Sequence, residues 1–60
     1  MKANDKPTLD HLIKRFKALN TDMKNLAKHR KPEHAEYLRR ATDVCDIIIQ
    51  ALTSLTRKLD

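Results

Sequence analysis

The stretch Val44-Cys45-Asp46-Ile47-Ile48-Ile49-Gln50-Ala51-Leu52 decides the fold, because seven of its nine residues are apolar. On a helix, at about 100° per residue, those seven wrap well past one face. A single neighbouring helix cannot cover that much apolar surface. The stretch therefore predicts a packed helix that also needs a further contact.

Outward from it, Leu38, Ala41, Cys45, Ile48, Leu52, Leu55 and Leu59 are spaced alternately three and four residues apart. This is an a/d heptad seam, the pattern of helices packed at a shallow angle. Glu36 and Arg40, like Arg39 and Asp43, stand four residues apart, and each pair supports such a helix by ~0.2–0.5 kcal/mol. Upstream, Leu9, Leu12, Phe16, Leu19, Met23 and Leu26 repeat the same spacing, with Ile13 and Ala27 widening the stripe. Between the two runs stands His29-Arg30-Lys31-Pro32. Proline disfavours helical geometry at the residue before it and starts helices well. Glu33 and Glu36 then fall where negative charge helps a helix begin, and Lys28, Arg30 and Lys31 crowd the end of the preceding one. So short a connection makes the helices antiparallel neighbours.

The sequence thus predicts an all-α fold. It is an antiparallel two-helix hairpin with helices over about 8–29 and 32–59, a turn at 30–31 and a flexible arm over 1–7. Asn20, Thr21 and Asp22 are three cap-type residues in a row, and a break there would give three helices. The unbroken heptad phase from Leu19 to Met23 favours one long helix with these three on its outside. Glycine is absent and only Phe16 and Tyr37 are aromatic, which suits helices and not sheets.

Val44, Ile47 and Ala51 form a second stripe beside the seam, and Ile49 widens the other flank. A 60-residue chain is marginal without disulfides, a metal or oligomerisation. One cysteine allows no internal disulfide. The expectation is a homodimeric four-helix bundle, with Val44, Ile47, Ala51 and Ile49 as interface residues.

Enzyme chemistry finds little footing. Without glycine there is no phosphate-cradling loop. Cys45 lies ~16 Å along the second helix from His34, so His29, His34 and Cys45 cannot share a metal. No metal, cofactor or catalytic residue is expected, and Cys45 is expected as a small buried hydrophobe. Charge is more informative. Residues 1–31 carry nine Lys and Arg against three acids, a net of +6, and residues 32–60 carry four against five, a net of −1. Lys14, Lys17, Lys24, Lys28 and Lys31 follow one stripe, which suits solvent, an acidic protein or a phosphate backbone. The stripe lacks the arginines and interleaved aromatics of base recognition.

Met1 to Pro7 hold no apolar run, so no secretory leader is expected, and no stretch reaches the length of a membrane span. A lone thiol fits a reducing compartment, so the expected setting is cytoplasmic. The function expected is that of a small regulatory or adaptor protein binding itself and an unidentified protein partner; accessory proteins of phages and plasmids are commonly this short. The alternative is a basic nucleic-acid-binding dimer that uses the lysine stripe.

Overall fold

A computed structural model of the chain describes residues 5–59. Two helices, α1 (Lys6–Ala27) and α2 (Pro32–Lys58), pack against each other as an antiparallel hairpin. Most of the expected arm, residues 1–4, lies outside the described residues. Asp5 to Pro7 belong to the start of α1: Asp5 stands at the N-cap position and Pro7 sits in the first turn. Proline is tolerated there because the first N–H groups of a helix have no partner within it.

At the other end α1 stops at Ala27, two residues before the expected boundary. His29 and Arg30 donate their N–H groups to Leu26 and Ala27 at 3.1 and 3.3 Å, tightening the last turn. Lys31 is then extended, with ψ 151°, as a residue before proline must be. Its carbonyl accepts from the N–H groups of His34 and Ala35 at 3.0 and 2.8 Å and opens α2. Glu33 lies in the first turn of α2, and Arg57 and Lys58 in its last, each favourable against the helix dipole. The expected Glu36–Arg40 pair is present at 3.5 Å.

α1 runs through Asn20-Thr21-Asp22 without a break. Thr21 turns its hydroxyl back onto the carbonyl of Lys17 at 3.1 Å, a bond that lets threonine sit inside a helix. Asn20, however, is not on the outside. It is 7% exposed, and its Nδ2 donates to Asp46 Oδ1 of α2 at 2.6 Å.

That inward asparagine signals a rotation of the whole seam. In α1 the line facing α2 passes through Leu9, Ile13, Phe16, Asn20, Met23 and Ala27, while Leu19 and Leu26 are left exposed. In α2 it passes through Leu38, Thr42, Cys45, Ile49, Leu52, Thr56 and Leu59, with Thr42 and Cys45 buried and Ile48 and Ile49 both half-buried. Both lines keep the three-four spacing, displaced by one residue at alternate positions. Threonine is accepted on the inner face because its hydroxyl bonds its own helix: Thr42 to Arg39 O at 2.7 Å and Thr56 to Leu52 O at 2.9 Å, as Thr53 beside the seam does to Ile49 O at 2.8 Å. Cys45 is buried as expected, its Sγ 3.3 Å from the carbonyl oxygen of Phe16.

The hairpin is a thin rod of 44 × 14 × 11 Å with a Cα radius of gyration of 14.0 Å; a compact chain of this length has a radius of about 10 Å. Among the described residues only Leu9 and Cys45 are apolar and buried, and no side chain is fully enclosed.

Candidate interaction surface

The rotated seam gives the hairpin two unlike flanks. Asn20 and Asp46 meet on one of them. A shallow hollow of about 340 Å³ lies on this side, lined by Lys24, Ala27, Leu38, Arg39, Thr42, Asp43 and Asp46. Its walls carry both signs of charge, so it offers no concentrated field to a single ion.

Each helix turns about 100° per residue, so positions displaced the other way from the seam fall on the opposite flank. In α1 these are Leu12, Leu19 and Leu26; in α2 they are Tyr37, Ala41, Val44, Ile48 and Leu55. Leu19 is 53% exposed, Leu26 42%, Val44 56% and Tyr37 71%. A groove of about 240 Å³ runs along this flank between Leu12, Arg15, Phe16 and Leu19. Single exposed apolar residues are ordinary, but a contiguous row of them marks a contact surface.

The residues singled out in the sequence divide between these surfaces. Val44 and Ala51 are exposed and lie on the open apolar flank. Ile47, at 65% exposure, points about 160° away from Cys45 and carries the exposed stripe round to the back of α2, about 60° from Val44 and about 40° from Ala51. Ile49 belongs to the seam, half-buried, with its carbonyl holding Thr53. Leu12, Leu19, Leu26 and Tyr37 were not singled out as contact residues. The leucines repeat every seven residues, a spacing that suits the seam; the signal against that placement is polar Asn20, which half-buried Asp46 of α2 holds inward.

The lysine stripe is exposed throughout: Lys14, Lys17 and Lys24 on α1, Lys28 at its C-cap, and Lys31 before α2. Lys24 shares its hollow with Asp43 and Asp46, so part of the stripe faces acids of its own chain. His11, His29 and His34 are exposed, and among the described residues no three potential ligands gather as a metal site. No described helix is long and apolar enough to cross a membrane. Comparison with known proteins finds no matching family model, curated protein or solved structure.

Proposed function

We propose that the chain is a non-enzymatic regulatory or adaptor protein that works as a self-associated hairpin, a dimeric four-helix bundle presenting its outer faces to another macromolecule. One observation carries this reading: among the described residues only two apolar side chains are buried, while a row of leucine, valine and tyrosine stands in solvent. The area agrees. The chain exposes 4958 Å², whereas a compact protein of 7.0 kDa exposes about 4,000 Å². Bringing two hairpins to the surface of one compact body of twice the mass buries roughly 3,000 Å² in total, the range of obligate dimers. Ile47, on the back of α2, stays available to the foreign partner. The lone buried thiol of Cys45 suits a reducing, cytoplasmic setting.

The test is sedimentation of the pure protein over a wide concentration range. A dimer mass that gives way to monomer only on dilution supports the reading; a monomer with intact helix content at all concentrations refutes it.

The second reading, a dimer that binds nucleic acid, is favoured by the five exposed lysines and the +6 balance of residues 1–31. It predicts binding to a short duplex that weakens linearly in log salt, with a slope of about 0.9 per phosphate neutralised. It also predicts that Lys17, Lys24 and Lys28 changed together to Glu abolish binding with helix content unchanged.

A further inference from the structure

We propose that the open flank pairs with the same flank of a second copy, antiparallel, with the turns at opposite ends and the twofold axis crossing between Leu19 and Val44. The proposal rests on the self-association proposed above and adds its face, direction and register. Two bonds tie the hairpin at one height, Cys45 Sγ to Phe16 O and Asn20 Nδ2 to Asp46 Oδ1. On α1 they bracket Leu19, and on α2 they lie one and two residues beyond Val44, which puts Leu19 and Val44 at nearly the same height.

A twofold axis at that height makes the flank complementary to itself. On α1 it brings Leu19 against its own copy and Leu12 against Leu26 of the second chain, since the three leucines are evenly spaced. On α2 it brings Val44 against its copy and sets Tyr37, the most exposed large apolar residue among those described, against the small Ala51. Regular spacing of this kind lets side chains of one helix fill the gaps of the other.

Charge selects the direction. Arg15 and Asp22 edge the leucine row, both exposed, and lie ~10.5 Å apart along α1, too far to pair within the helix. In the antiparallel arrangement Arg15 meets Asp22 of the second copy, and the pair forms twice. With the turns at the same end, α1 instead lies against α2 of the second copy. Arg15 then faces Ile47 and Ile48 with no acid, and Asp22 must compete for an Arg40 already held by Glu36 at 3.5 Å.

The experiment uses the full chain in a Cys45→Ser background. Arg15→Cys and Asp22→Cys proteins are prepared separately, mixed and oxidised. A disulfide spans Cα atoms no more than about 7 Å apart, so the proposal expects a linked dimer from the mixture and little from either protein alone. In parallel, Arg15→Asp and Asp22→Arg each weaken dimerisation by about tenfold, and the double swap restores it. A dimer by mass that joins Asp22→Cys to Arg40→Cys, or fails to join positions 15 and 22, overturns this arrangement and leaves self-association standing. A monomer by sedimentation of the unmodified chain overturns both.

Discussion

Asn20 offers the sharpest test of how this hairpin is held. Its Nδ2 bonds Asp46, but its Oδ1 is buried without a partner. An unsatisfied buried acceptor costs about 1–3 kcal/mol. The bond to the carboxylate returns about 1.5–3 kcal/mol, and Asp46, half-buried on the edge of the polar hollow, regains water if that bond is lost. Asn20→Leu removes the orphan oxygen and adds a buried apolar side chain worth about 1.5–3 kcal/mol. The balance favours the variant by roughly 1–3 kcal/mol. For a domain of this size that raises the melting temperature by about 5–15 °C. Thermal unfolding followed by far-UV circular dichroism, at one fixed protein concentration, reads the shift. A lower melting temperature for the leucine variant would show that the asparagine is a net stabiliser and that its Oδ1 is satisfied in solution. A gain would mark Asn20 as a residue that specifies register at a cost in stability, as polar groups in helical seams do.

Asn20→Asp sets two carboxyls side by side in the seam. Burial and the neighbouring charge raise the folded-state pKa of the introduced group above its unfolded value of about 3.9. The folded state then holds the extra proton, so the variant is close to wild type below pH ~4 and loses stability as pH rises. A two-unit shift corresponds to about 2.7 kcal/mol at neutral pH, read as the variant-minus-wild-type difference in urea midpoints at pH 4 and pH 7. Cys45 is buried, so a thiol reagent should reach it only through opening of the hairpin, with a rate that rises steeply with urea; fast labelling in native buffer would contradict its place in the seam. Leu19→Glu should reduce the sedimenting mass to that of a monomer, whereas Ile47→Glu, on the back of α2, should leave the mass as it is. The reverse pattern would move the dimer contact to the back of α2.

The hairpin was legible because its signals are local. The three-four spacing of apolar residues and the Pro32 break state two helices and their direction without any knowledge of packing. Rotation about each helix axis was not legible in the same way. Leu19 and Asn20 are neighbours about 100° apart, and hydrophobicity alone favours turning the leucine inward. The structure turns the asparagine inward because Asp46 waits across the hairpin, and the leucine is free to face another chain. The same reversal moves Ile49 into the seam and carries Ile47 round to the back of α2. Amphipathic pattern reports how much apolar surface a helix carries, but not how a two-helix unit divides it between its own partner and a second one.

The turn between the helices is built without glycine, and no described residue has a positive φ. Reversal of the chain therefore depends on one pyrrolidine ring, which forces Lys31 out of the helical region. Topologically, the molecule is a single long helix folded at Pro32. Proline→alanine at that position removes the steric instruction and permits a continuous rod of about 80 Å from Lys6 to Lys58. Two such rods lying antiparallel would recover the α1–α2 contacts between chains instead of within one, an exchange of identical elements. The variant should keep its helix content yet elute from gel filtration at a larger hydrodynamic radius. The connectivity of this fold, unlike its packing, thus stands one substitution away from a different one.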